Sequence, residues 1–129
     1  MANPNIVSVA TIEGGNLGWN LDTGLTTTLV TIASEYVVKV NRIVCTNVHA
    51  TDAANLSLYV SGMGTGAAGV TATGADADVY LAKVISVPAN ASLVVSDTPI
   101  YLMEGDILKG GSSAASSLDL FITYETLID

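Results

Sequence analysis

The sequence predicts an all-β fold: an antiparallel β-sandwich, jelly-roll-like, of about eight strands. Apolar and polar residues alternate with a period of two in several segments, as in half-buried strands. Thr, Val and Ser are plentiful, whereas the helix formers Glu, Lys, Arg and Gln are scarce, and no amphipathic helix is evident. Because local periodicity does not encode strand pairing, the pattern does not separate a jelly roll from another sandwich topology.

The clearest predicted strands alternate strictly between apolar and polar positions. In NLSLYV, which begins at Asn55, three apolar side chains share one face: Leu56, Leu58 and Val60. In SLDLFITY, which begins at Ser117, four side chains share one face: Leu118, Leu120, Ile122 and Tyr124. In YLAKVISVP the odd positions share a face before Pro88 ends the strand: Leu81, Lys83, Ile85 and Val87.

The segment YVVKVNRIVCTNV is the longest predicted strand, and its apolar phase changes near the middle. Val38 and Val40 occupy even positions, whereas Ile43 and Cys45 occupy odd positions. One extra residue near Asn41 and Arg42, a β-bulge, would keep the same face apolar along the whole strand. A strand buried on both faces is the alternative.

Length indicates one β-sandwich domain, residues 1–129, with an N-terminal arm in residues 1–12. Glycine and alanine dominate residues 61–78, SGMGTGAAGVTATGADAD, where no core-facing period survives. We expect a long loop between two strands there.

The chain carries 12 acidic and four basic residues, which gives a net charge of −8. Phosphate groups repel such a surface, so we expect binding neither to nucleic acid nor to anionic membranes. Only 12% of the residues are charged, whereas about a quarter is usual in soluble domains. We therefore expect other chains to cover part of the exterior.

Cys45 is the single cysteine, which excludes an intramolecular disulfide and a cysteine-based zinc site. It lies in the apolar run RIVCTNV, so a small buried side chain is favoured over a nucleophile. The first residues contain neither the basic region nor the long apolar segment of a secretory signal. No run of apolar residues is long enough to form a membrane-spanning helix. We expect no cofactor.

Two carboxylates, Glu104 and Asp106, flank Gly105 in TPIYLMEGDILKGG. Paired carboxylates can serve catalysis or metal binding, but no base, pocket or orienting group is evident nearby. We interpret EGD as a turn between two strands, in which Gly105 has a positive φ and the carboxylates face solvent.

The other polar candidates do not form a catalytic pattern. Asp76 and Asp78 lack the further ligands of a calcium loop, so we expect no metal site.

His49, the only histidine, precedes Asp52 by three residues, which favours a hydrogen-bonded loop pair. A catalytic triad would also need an activated serine, and no G-x-S-x-G elbow is present. The sequence predicts a protein that is not an enzyme.

Trp19, the only tryptophan, lies in the Gly/Asn-rich segment GGNLGWNLD. Tryptophan is enriched at interfaces and stacks on sugars, so Trp19 is a candidate partner contact. A ring packed beneath a loop is the alternative.

Four stretches follow one another in an order that resembles small virion structural proteins of tailed bacteriophages, particularly phages of cyanobacteria. They are MANPNIVSV, VVKVNRIVCTNVHATDAANLSLYV, YLAKVISVPANASLVVSDTPIYLMEGDIL and LDLFITYETLID. In that family an xVPAxxxLVV segment precedes an IYLxEGD turn and a last strand. The chain departs from the pattern in residues 61–78 and in EGGNLGWNLDTGL.

The resemblance implies a capsid decoration (cement) protein on the outer surface of the virion, which stabilises contacts between capsomers. The implied partners are the major capsid protein and further copies of the chain, as a homotrimer. The N-terminal arm would add a strand to a neighbour's open edge. Its candidate contact residues are Asn3, Pro4, Asn5 and Ile6.

Two alternatives stay open. The chain could belong to the neck, tail or a fibre of the virion and help attachment to the host. It could also be a carbohydrate-binding module, although aromatic residues make up only 5% of the sequence.

Overall fold

The computed structural model describes residues 11–61 and 78–128, which form nine β-strands and no helix. The strands are β1 (Thr11–Asn20), β2 (Thr28–Thr31), β3 (Tyr36–Asn47), β4 (Ala54–Ser61), β5 (Asp78–Val87), β6 (Ser92–Ser96), β7 (Ile100–Leu102), β8 (Ile107–Ser112) and β9 (Leu118–Ile128). The predicted all-β class is confirmed, with one strand more than the eight or so expected.

The strands form two antiparallel sheets in a sandwich-like arrangement. The five-stranded sheet has the order β1-β9-β3-β6, and the short β7 also pairs with β3, end to end with β6. The four-stranded sheet has the order β2-β8-β4-β5. Most pairs therefore join strands that are distant in the sequence.

The hydrophobic core lies between the two sheets and is built from both inner faces. The alternation predicted for β9 is confirmed, because Leu118, Leu120 and Ile122 are buried in this core. The strand β4 is buried on both faces, since Ser57 and Tyr59 of its polar face are 5% and 7% exposed. An apolar core of this kind supplies the main stabilising free energy of the fold.

The predicted β-bulge in β3 is confirmed. The register between β3 and β9 shifts between Val40 and Arg42, which leaves Asn41 as the extra residue. Val40 and Ile43, on either side of the shift, are both buried in the core. The bulge thus returns the apolar side chains to the inner face.

The predicted face of β5 is wrong. Leu81 and Ile85 are 38% and 40% exposed, whereas Ala82 and Val87 are buried. The register with β4 is irregular at two places, and Val84 has a φ of 51°, so simple alternation fails along this strand. Because β5 is an edge strand, its outer side tolerates this irregularity.

The predicted arm and loop fall mostly outside the described residues. Thr11 and Ile12 open β1, while residues 1–10 of the arm lie outside the described part. Ser61 ends β4 and Asp78 begins β5, while residues 62–77 of the loop lie outside it.

Candidate interaction surfaces

The EGD motif forms the turn between β7 and β8, as predicted. The Asp106 N–H donates to the Met103 carbonyl at 3.0 Å, and Gly105 has a φ of 86°. A positive φ at the third residue is typical of a type II turn and favours glycine. The turn is bonded to the segment after β2, because the Gly105 N–H donates to the Ile32 carbonyl and the Ile32 N–H donates to the Asp106 carbonyl.

The carboxylates of this turn are buried, which corrects the expectation that they face solvent. Glu104 and Asp106 are 3% and 5% exposed. Glu104 Oε2 accepts a hydrogen bond from the Glu35 N–H at 2.7 Å, and Asp106 Oδ2 accepts one from the Met103 N–H at 2.9 Å. Burial raises the pKa of Asp106, an effect that the hydrogen bond from Met103 opposes. Both carboxylates therefore hold loop backbone in place.

His49 and Asp52 form the predicted loop pair. The Asp52 N–H donates to His49 Nδ1 at 3.0 Å, and His49 Nε2 lies 3.9 Å from Asp52 Oδ2. The buried Asn47 anchors the loop: its side-chain oxygen accepts from the His49 N–H, and its amide donates to the carbonyls of Asp52 and Val87. These contacts stabilise the connection between β3 and β4.

Cys45 is fully buried on β3, as predicted. Burial, and secondarily the charge of Asp119, raises the pKa of the Cys45 thiol from 9.0 to about 11. Because the thiolate is the reactive form, this side chain behaves as a small apolar core residue at neutral pH.

A metal site would require several ligating side chains close together. In residues 11–61 and 78–128 no three His, Cys, Asp or Glu side chains are grouped so that they could hold a metal ion. Asp78 is exposed at the start of β5, and Asp76 lies outside the described residues. Within the same ranges there is no helix of sufficient length and hydrophobicity to cross a membrane.

Trp19 lies on β1 opposite Leu120 of β9. Directly opposed residues of antiparallel strands share a face, so Trp19 faces the inside of the sandwich, where its half-buried ring packs against the core. Partner contact through Trp19 stays a prediction. The other predicted contact residues lie outside the described residues: Asn3, Pro4, Asn5 and Ile6.

A mainly apolar cavity of about 290 Å³ lies between the sheets beside β1 and β2. Val38 and Val40 form part of its wall, and Glu13 and Tyr124 contribute polar atoms. A Cβ on Gly15 would lie 2.6 Å from the Tyr124 hydroxyl oxygen. The missing side chain at Gly15 therefore makes room for the ring that lines the cavity. No motif or periodicity in the sequence indicates this cavity.

The outer face of the five-stranded sheet carries a row of side chains across four strands. Phe121 of β9 lies opposite Gly18 of β1 and Val44 of β3, and Val44 lies opposite Val94 of β6. Phe121 and Val94 are 47% and 44% exposed. We call Gly18, Phe121, Val44 and Val94 the apolar row. The segment SLDLFITY indicates this row, because its phenylalanine, the only one in the sequence, alternates with the core residues and so lies on the opposite face of the strand.

The edge strand β5 is the second exposed apolar surface. Five of its residues are large, apolar and exposed: Val79, Tyr80, Leu81, Val84 and Ile85. The Tyr80 ring packs on Tyr59, with 5.0 Å between centroids, and Lys83 Nζ lies 5.1 Å from the Tyr80 centroid. The Val84 N–H donates to Ser57 Oγ at 3.1 Å. Strict alternation in YLAKVISVP predicted Leu81 and Ile85 in the core, so this exposed surface was not predicted.

No protein-family model matches the chain, and no curated protein matches it either.

Proposed function

We propose that this chain is a structural protein of a bacteriophage virion, most specifically a capsid decoration (cement) protein. It binds the outer surface of the head and stabilises contacts between capsomers. Its partners in this proposal are the major capsid protein and further copies of the chain, assembled as a homotrimer. The order of the four sequence segments that resemble such proteins supports the proposal.

The strand order of the two sheets is the main structural support for this proposal. Without the short β7, the two sheets have the orders β1-β9-β3-β6 and β2-β8-β4-β5. We infer that this is a jelly roll of eight strands, in which the first strand pairs with the last and the remaining strands nest between them. Jelly rolls are common among viral capsid and lectin domains. Because one fold hosts many functions, the surfaces must support the proposal as well.

The exposed surfaces suit a protein that adheres to a shell in many copies. Twelve large apolar side chains are exposed in the described residues, and seven of them lie on β5, β6 and β9. Covering a half-exposed side chain such as Phe121 gains roughly 1 kcal/mol, because about half of its full burial free energy is still available. Several such contacts on each copy would add up across a symmetric shell.

Localisation on virions of the phage that encodes the chain tests the proposal. Purified particles are labelled with gold-conjugated antibodies raised against the chain and viewed by electron microscopy. We expect label over the whole head. Label confined to one vertex would move the protein to the neck, tail or fibre, and particles without label would refute a virion protein. Particles grown without the gene are the control for the antibody.

A second measurement tests stabilisation. Heads that lack the chain should release DNA at a lower temperature than complete heads, and addition of the purified chain should restore the higher temperature. Equal release temperatures would contradict a cement role even if the label covers the head.

A carbohydrate-binding module is the second candidate, and one observation favours it. Phe121 and Tyr101 are 47% and 48% exposed and belong to the same outer face, where rings could stack on sugars. Titration of the chain with a panel of cell-surface glycans, followed by Trp19 fluorescence and calorimetry, tests it. Binding that is lost in Phe121→Ala would support this candidate, and the absence of any heat or fluorescence change would remove it.

A further inference from the structure

We propose that the outer face of the five-stranded sheet binds a second copy of this chain, face to face, about a twofold axis that passes close to the apolar row. The contact is isologous, so each copy contributes the same residues. This inference does not depend on where the protein resides. It predicts even-numbered species, either dimers or pairs of the homotrimers proposed above.

The apolar row provides the centre of the contact. Phe121 rises from the middle of the sheet, next to Gly18, which has no side chain. A Cβ at Gly18 would meet only Leu120 O at 3.7 Å and Phe121 Cδ1 at 3.9 Å, so the surface beside the ring is a shallow depression with room above it. Across β3 the exposed Val94 forms a second elevation. The open space over Gly18 lets the Phe121 ring lie down on the sheet when a second sheet packs on this face.

The two rows beside the apolar row are polar and carry opposite charges. On one side lies the exposed Asp119 of β9, opposite Thr46 of β3 and bonded to the Asn20 amide at 2.7 Å. On the other side lies the exposed Arg42 of β3, opposite Thr123 of β9. The acid and the base therefore lie diagonally across the apolar row.

A twofold axis in the plane of the interface makes this diagonal self-complementary. An axis along the apolar row exchanges the two rows beside it. A small tilt of the axis then brings Asp119 of one copy opposite Arg42 of the other, and the symmetry repeats the pair. Phe121 of each copy meets Phe121 of the second copy near the axis. The same tilt makes the strands of the two sheets cross at a moderate angle, as in aligned sheet packing.

The charge balance of this face explains why two acidic chains can approach there. The outer face carries Lys39 and Arg42, two of the chain's four basic residues, together with Asp119 and Glu125. These four charges cancel, although the whole chain has a net charge of −8. Opposite charges placed across a contact favour the correct partner and orientation.

The breadth of the outer face also favours it over β5. The strands β1, β9, β3 and β6 lie side by side, so a second sheet can pack across the apolar row and the two polar rows beside it, while the end of the face at Val37 and Leu127 is already buried. The edge of β5, in contrast, has irregular register with β4 and a φ of 51° at Val84. Bulges of this kind hinder edge-to-edge pairing.

Reciprocal charge reversal tests the contact on the full chain. Sedimentation velocity over a range of concentrations measures self-association of the wild type, Arg42→Asp, Asp119→Arg and the double variant. Each single variant places like charges opposite each other twice, so we expect at least a tenfold weaker association. In the double variant Asp and Arg exchange places, so association should return to within a few-fold of the wild type.

A matched pair of apolar substitutions completes the test. Phe121→Asp should abolish the association, whereas Leu25→Asp, at a residue with nearly the same exposure of 49% before β2, should leave it intact. Circular dichroism verifies folding of each variant. A wild type that is monomeric at every concentration would overturn the proposal, and so would association that survives Phe121→Asp. A double variant that associates no better than the single variants would also overturn it.

Discussion

Gly110→Ala is expected to destabilise the fold strongly, because the position has no room for a side chain. Gly110 lies on β8 opposite Leu58 of β4. A Cβ at this position would overlap the Ser57 carbonyl oxygen and lie 3.0 Å from Leu58 Cα. Both neighbours are backbone atoms of a central strand, so they cannot rotate away as a flexible side chain would.

The size of the effect follows from what has to move. Overpacking in a well-packed interior costs about 1–3 kcal/mol. Here β4 and β8 must also separate locally, which weakens at least one ladder hydrogen bond, worth about 1 kcal/mol. We therefore expect a loss of about 3 kcal/mol in the free energy of unfolding. For a domain of this size that corresponds to a fall of about 10 °C in Tm.

A second glycine provides the control. Gly14 lies on the edge strand β1, where a Cβ would meet only the Tyr124 carbonyl oxygen at 4.0 Å, an ordinary contact. Gly14→Ala should change the free energy of unfolding by less than about 1 kcal/mol, with stabilisation expected because alanine restricts the unfolded chain. Urea unfolding followed by circular dichroism and Trp19 fluorescence measures both variants. Equal stabilities for Gly110→Ala and Gly14→Ala would refute the steric reasoning.

Two further predictions concern buried titratable groups. Because burial raises the pKa of Cys45 to about 11, its thiol should resist a disulfide reagent in the folded chain and react fully in denaturant; fast labelling of the folded chain would contradict its burial. Burial also raises the pKa of Asp106 above 3.8, so the folded state holds this proton more tightly than the unfolded state, and the stability that it contributes is lost as pH rises through the folded pKa. Asp106→Asn removes the charge and keeps an acceptor for the Met103 N–H, so its gain in urea midpoint over the wild type should be larger at about pH 7 than at about pH 3.5. A gain that is independent of pH would contradict this assignment.

Features that depend on local sequence could be predicted well. The alternation in SLDLFITY indicated that Leu118, Leu120 and Ile122 share the core face, because a strand has a period of two wherever it is regular. The phase change in β3 located the bulge at Asn41. Gly105 was recognised as a turn residue because glycine is the residue that readily adopts positive φ.

Features that depend on distant segments could not be predicted. The carboxylate of Glu104 is buried because it accepts the Glu35 N–H, 69 residues away, and nothing in the EGD motif announces that partner. The predicted inner face of β5 was wrong, because the irregular pairing with β4 and the positive φ of Val84 interrupt the regular alternation of inward and outward side chains along the strand. Neither the hydrogen bond to Glu104 nor the irregular pairing of β5 produces a recognisable pattern in the sequence.

The sequence by itself determined the all-β class, the position of most strands, the bulge in β3 and the burial of Cys45. These follow from side-chain periodicity and backbone preferences, which act over a few neighbouring residues. Only the tertiary structure decided that β1 pairs with β9 and that β9 pairs with β3. That pairing places Gly18, Phe121 and Val44 side by side and sets Asp119 diagonally from Arg42. The reason is physical: cross-strand contacts form between residues far apart in the chain, and their free energy exists only once the sheets have assembled.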